Sequence, residues 1–138
     1  MPSVRIVAEG GGEPRKFAVG TPVGAVLPKA APNGLPYVGA LVNNEVVSLQ
    51  SPLSANATVR GLTIETQEGW VILRRSACQL LAMAARLELP GRFLRVRHSL
   101  GWGVFATIRD KDDGPERAPT AAERAALERR MRKIVSED

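Results

Sequence analysis

Ala40-Leu41-Val42-Asn43-Asn44-Glu45-Val46-Val47-Ser48-Leu49 is the stretch whose reading decides the fold. It joins a β-rich segment that begins at Tyr37 to a short return segment, Glu45-Val46-Val47. Asparagine tolerates the left-handed backbone that tight hairpin turns demand, so Asn43-Asn44 reads as a turn between paired strands. Upstream, Gly20-Thr21-Pro22 reads as a helix start, with Thr21 as the cap and Pro22 in the first helical position. Val23, Val26 and Leu27 then share one helix face until the segment from Pro28 to Pro36 breaks the pattern. Earlier still, Val4, Ile6 and Ala8 alternate with Arg5, Val7 and Glu9 as an opening strand. Gly10-Gly11-Gly12 turns the chain, and Arg15-Lys16-Phe17-Ala18-Val19 returns as its partner. The glycine run lacks both the GxxxxGKS/T spacing and the strand-loop-helix order of a phosphate cradle. Downstream, Leu49 to Ala57 connects to a last strand, Thr58 to Thr66, interrupted by Gly61. Hairpin, helix and further strands make an α+β unit that buries one sheet face under one helix.

Around Gln67-Glu68-Gly69 the character changes, which predicts two domains, 1–67 and 68–138. Ser76-Ala77-Cys78-Gln79 has capping-box spacing, with Ser76 as N-cap, and Ala77, Leu80, Leu81, Ala84 and Leu87 line one helical face behind it. Pro90-Gly91 ends that helix. Phe93 to His98 and Trp102 to Ile108 then form a hairpin around Ser99-Leu100-Gly101, and Asp110 to Pro119 is a polar loop. Thr120-Ala121-Ala122-Glu123 is a second capping box, and the helix it opens turns Leu127, Met131, Ile134 and Val135 inward. Trp70 and Trp102 are expected to close the hydrophobic core. No Gly or Pro stop follows the last helix before Asp138, which predicts a fragment of a longer protein.

Residue scarcity excludes several chemistries. The chain has one histidine, His98, and one cysteine, Cys78, too few for a typical structural zinc site, so no zinc is expected. Ser-His-Asp and Cys-His catalysis would both have to use the same imidazole. A lone cysteine provides no intrachain disulfide, which fits a reducing cytoplasm, and neither a signal peptide nor a membrane-spanning run is present. The net charge of +5 is uneven. Residues 1–67 carry five Lys/Arg against four Asp/Glu, and residues 68–138 carry fourteen against ten. A basic second half suits a phosphate-bearing partner, and equally suits arginines on solvated faces.

Residues 4–66 resemble the TGS domain, a ubiquitin-like β-grasp module of threonyl-tRNA synthetases, certain GTPases and guanosine-polyphosphate synthetases. The resemblance rests on the opening strands, on Gly20-Thr21-Pro22-Val23 and on Ala40 to Leu49. Residues 70–138 look like the domain that follows TGS in threonyl-tRNA synthetase and is related to editing domains. Arg74-Arg75-Ser76-Ala77-Cys78-Gln79-Leu80-Leu81 is similar to that family's Arg-His-Ser-x-x-His-Leu-Leu start. Arg75 and Gln79 occupy both histidine positions of its HxxxH motif. A guanidinium stays protonated and an amide has no useful basicity, so the resemblance implies a domain without its hydrolytic apparatus. A third resemblance, to bacterial uridine-kinase-like proteins with the same domain pair in front, lies in His98-Ser99-Leu100-Gly101-Trp102-Gly103-Val104-Phe105. It implies a non-catalytic accessory region of a nucleoside kinase, with ATP and Mg needed only by a later kinase domain and no cofactor here. The partners it implies are that kinase domain and RNA or a nucleotide, with no membrane. The alternative is the TGS/editing portion of a threonyl-tRNA synthetase-like protein, acting in tRNA binding or deacylation.

The candidate ligand-binding residues are Arg95, Arg97, His98, Ser99, Arg75 and Gln79, and no catalytic residue is expected. Arg95, Arg97 and His98 would offer donors to a phosphate or carboxylate. Strand alternation places Arg95 and Arg97 on one face and His98 on the other, so convergence requires the hairpin to twist or the turn to redirect His98. The plain structural reading makes His98-Ser99 a strand end and turn. Arg75 and Gln79, one helical turn apart, share a face that is either solvated or the wall of a surviving pocket.

Overall fold

The computed structural model describes residues 2–8 and 11–137, a mixed α+β chain with two small sheets. Glu9, Gly10 and Asp138, assigned above to a strand end, a turn and the last position, lie outside the described residues. The chain divides into two compact units, Met1–Arg74 and Arg75–Asp138, and the division falls within a helix. No helix among the described residues is long and apolar enough to cross a membrane.

In the first unit the elements are β1 (Ser3–Ala8), β2 (Arg15–Ala18), α1 (Val23–Val26), β3 (Gly39–Val42), β4 (Glu45–Val47) and β5 (Ala57–Leu62). The sheet runs β2-β1-β5-β3-β4, with β1 and β5 parallel and the other neighbours antiparallel. The hairpin turn is where the asparagines put it: Asn43 and Asn44 adopt φ of 50° and 67°. Asn43 also accepts through Oδ1 from the Thr58 amide at 2.9 Å, which ties the turn to β5. Val4, Ile6, Val23, Ala40, Leu53, Ala57 and Val59 form the core on the α1 face. The opposite face is covered as well, a departure from the one-sided sheet expected. Leu41 and Leu62 are buried there, and a β-carbon on Gly39 would come within 2.6 Å of Ile72 Cδ1.

Three local expectations are corrected. Thr21 does not cap α1, because its hydroxyl donates to the Ala18 carbonyl at 2.7 Å; Pro22 is the N-cap, without a side-chain bond, and the helix is one turn long. β5 stops at Leu62 rather than Thr66, because the next residues form the cap of the following helix. Thr66 Oγ1 donates to the Thr63 carbonyl at 2.8 Å and accepts from the Gly69 amide at 3.0 Å. That helix, α2, therefore runs Gln67–Glu88, and Ser76 sits inside it instead of capping it. Gly69 is needed at this start, since a β-carbon would lie 2.0 Å from the Thr63 carbonyl oxygen.

The second unit contains the C-terminal part of α2, the hairpin β6 (Phe93–Leu100) and β7 (Gly103–Arg109), and α3 (Ala121–Ser136). Its core is Ala84, Ala85, Leu89, Ile108 and Leu127, with Leu81, Leu94, Met131 and Ile134 packed against it. The inward phase of α2 is thus Leu81, Ala84 and Ala85, and Leu87 faces outward. Val135 is likewise exposed, and Trp102, expected in the core, is 82% exposed at the hairpin tip. The turn closes at Gly101 and Trp102, with Gly101 at φ 54°. The capping box at Thr120 forms as expected: its side chain accepts from Glu123 N at 3.2 Å and Glu123 Oε2 accepts from Thr120 N at 2.7 Å. Glu123 does more than cap. Its buried carboxylate also accepts from Arg92 and from both terminal nitrogens of Arg117. The hydrogen bonds from Arg117, followed by that from the Thr120 backbone, lower its pKa to about 2.

Candidate oxyanion site on the hairpin

The β6–β7 register changes between Val96, opposite Ala106, and Ser99, opposite Val104. Arg97 and His98 together therefore face the single residue Phe105. Such a bulge inserts one residue, bends its strand and re-aims side chains. It resolves the alternation problem, because Arg95, Val96, Arg97, His98 and Phe105 line one open depression, with Glu116 as its remaining wall. The His98 ring lies 5.6 Å from that of Phe105, centroid to centroid. Ser99 sits beyond the bulge and is exposed, and it does not line the depression.

Glu116, which the sequence reading missed, organises the site. Arg95 Nη1 donates to its Oε1 at 3.1 Å, Arg97 Nε lies 3.3 Å from Oε2, and the Thr107 hydroxyl donates to Oε2 at 2.8 Å. The Thr107 hydrogen bond, followed by the charges of Arg97, Arg95 and Arg109, holds the Glu116 carboxyl below the usual carboxylate range. Thr107 is buried, whereas Arg95 and Arg97 remain about half exposed. The neighbouring bonds fix the loop independently of Glu116. Arg117 pairs its backbone with Ile108 through two 2.9 Å hydrogen bonds, and its guanidinium holds Asp110 and Glu123.

Arg75 and Gln79 are not part of this depression. Both are exposed on α2, and Arg86, also exposed, continues their helical face. Cys78 is partly buried and lies well inside α2, past its first turn. A second cavity of about 580 Å³ in this unit is floored by Leu80, Leu81, Leu94, Phe105, Leu127 and Met131, and its walls are chiefly apolar.

No family model matches the chain. A threonine--tRNA ligase from Desulforamulus reducens is 31% identical over 129 residues, which are 92% of this chain and 19% of the ligase. One from Thermobifida fusca is 29% identical over 137 residues, 99% of this chain and 19% of the ligase. The chain thus spans about a fifth of the length of the curated relatives it matches. It is threonyl-tRNA synthetase-like along nearly all of its sequence, and the similarity lies in the N-terminal region of those ligases.

Proposed function

We propose that this chain is a threonyl-tRNA synthetase-like accessory region that binds tRNA without hydrolysing its ester. On this reading the first unit is a TGS-type β-grasp domain and the second an editing-like domain lacking catalysis. The observation that carries it is the similarity to threonine--tRNA ligases over 92% of the chain, combined with Arg75 and Gln79 where the editing motif requires two imidazoles. The strand order β2-β1-β5-β3-β4 around a parallel β1–β5 pair supports the β-grasp assignment. A nucleoside-kinase parent has only the His98–Phe105 string behind it, and the relatives found favour the ligase side.

For RNA, one exposed face of α2 offers unpaired cations. Arg75 and Arg86 are exposed and have no ion-pair partner among the described residues, whereas Arg95 and Arg97 share Glu116. The test is filter binding of tRNA across a salt series. Binding should weaken steeply with salt, and Arg75→Ala with Arg86→Ala should reduce it and flatten the slope. Mischarged tRNA should keep its amino acid. Measurable deacylation, or no tRNA binding even at low salt, would overturn the proposal.

A further inference from the structure

We propose that Arg95, Arg97 and Thr107 form a binding site for a phosphate group, and that Glu116 occupies it as an internal counter-ion until a phosphate displaces it. The donor set is suited to a tetrahedral oxyanion: two guanidinium groups and one hydroxyl converge on two carboxylate oxygens within 2.8 to 3.3 Å. Glu116 alone faces the two guanidinium groups of Arg95 and Arg97, and Arg109, which also lies 4.0 Å from Asp112, adds its field. The site is open, with both arginines about half exposed, so an incoming anion reaches the same nitrogens that hold Glu116. His98 borders it because of the bulge. Glu116 can leave without unfolding the loop, because Arg117, Asp110 and Glu123 hold that segment through bonds that do not involve it. The tRNA-binding reading bears on this proposal only for the source of the phosphate.

The probe is inorganic phosphate, titrated into the full chain and followed by backbone amide shifts, with Glu116→Gln as the key variant. Glu116→Gln keeps an oxygen for the Thr107 hydroxyl, so circular dichroism should match the parent protein. Phosphate affinity should rise about tenfold or more, with the shifts centred on Arg95, Arg97 and Thr107. Adding Arg97→Ala to that variant should abolish the gain. An affinity within about twofold of the parent protein, or a gain that survives Arg97→Ala, would overturn the proposal. If Glu116→Gln were to fold poorly, Arg97→Ala in the parent background offers a second reading. Glu116 stays held by Arg95 and Thr107 while one phosphate donor is lost, so the shift at Arg95 must weaken, and an unchanged shift refutes the site. A short single-stranded RNA that binds Glu116→Gln more tightly than phosphate identifies a backbone phosphodiester as the occupant. Equal affinity identifies free phosphate, and either result supports the site. Failure of tRNA binding while phosphate still responds to Glu116→Gln would remove the proposed function and leave this site standing.

Discussion

Glu123→Gln should cost the second unit roughly 2 to 3 kcal/mol at neutral pH, and the cost should shrink in acid. The carboxylate accepts from Thr120 N, from Arg117 Nη1 and Nη2 and from Arg92 Nη1, while its side chain is only 8% exposed. Its pKa falls from 4.5 to about 2, chiefly through the Arg117 hydrogen bonds. The difference corresponds to roughly 3 kcal/mol, reduced somewhat because Arg117 and Arg92 are themselves partly solvated. The sign follows from a folded pKa below the unfolded one. The stabilisation is complete above about pH 4.5 and is lost as the pH falls through 4 toward 2. A glutamine still offers an oxygen to Thr120 N, so the cap survives while the charge is lost. Urea unfolding followed at 222 nm, where α2 and α3 dominate the signal, measures the difference at pH 7 and again at pH 3. At pH 3 it should be less than about half its neutral value. A cost below about 1 kcal/mol at pH 7, or one that is the same at both pH values, would refute the assignment of Glu123 as the charge centre of the unit.

Two further outcomes test the packing. Gly69→Ala should destabilise the first unit by roughly 2 kcal/mol or more, because its β-carbon would sit 2.0 Å from the Thr63 carbonyl oxygen at the start of α2. Reduced amide protection from Trp70 onward would report the damage, and an unchanged urea midpoint would contradict it. Ile108→Ala, at a fully buried position in the second core, should cost about 2 to 5 kcal/mol by the same denaturation assay.

How much the sequence revealed depended on whether a signal was local. Asn43-Asn44 and the box Thr120-Glu123 are complete within four residues, and both adopt the geometry expected of them. Ser76-Gln79 has the same spacing as that box and is not a cap, because spacing alone cannot distinguish a helix start from a helix interior. The real start uses Thr66 bonding to Gly69, a pattern without the Glu or Gln that marks a box. Its selection depends on Thr63, which supplies the carbonyl that a larger residue at 69 would strike. The outward turn of Leu87 and Val135 follows from the same limit. A helix whose apolar residues exceed one stripe leaves its phase to be set by the partner it packs on, here the shared cluster of Ala84, Ala85 and Leu89 from α2, Ile108 from β7 and Leu127 from α3. The hairpin arginines were identifiable as candidates, but their convergence with His98 requires a bulge, which alternation cannot foretell. Glu116 carried no signal at all. It is one of several acids in a polar loop, and only tertiary folding brings it to Arg95 and Arg97.

The same pairing changes what the basic composition of the second half means. Fourteen cations against ten acids suggests a basic surface, with the arginine-rich hairpin as its natural centre. The structure uses many of those charges internally. Arg92 and Arg117 go to Asp110 and Glu123, Arg95 and Arg97 to Glu116, Arg130 to Glu88, and Arg132 to Glu128. What remains without an ion-pair partner among the described residues includes Arg75 and Arg86, on one exposed face of α2. A polyanion meeting this unit therefore finds two kinds of positive charge. Those on α2 are available at once, and screening by salt should act on them in full. Those on the hairpin must first give up Glu116, so they respond to an oxyanion of the right shape more than to charge as such. The two sets thus differ under rising salt: α2 contacts fade in full, while a Glu116→Gln hairpin, though weakened by screening, keeps its preference for phosphate over chloride through the placement of its donors.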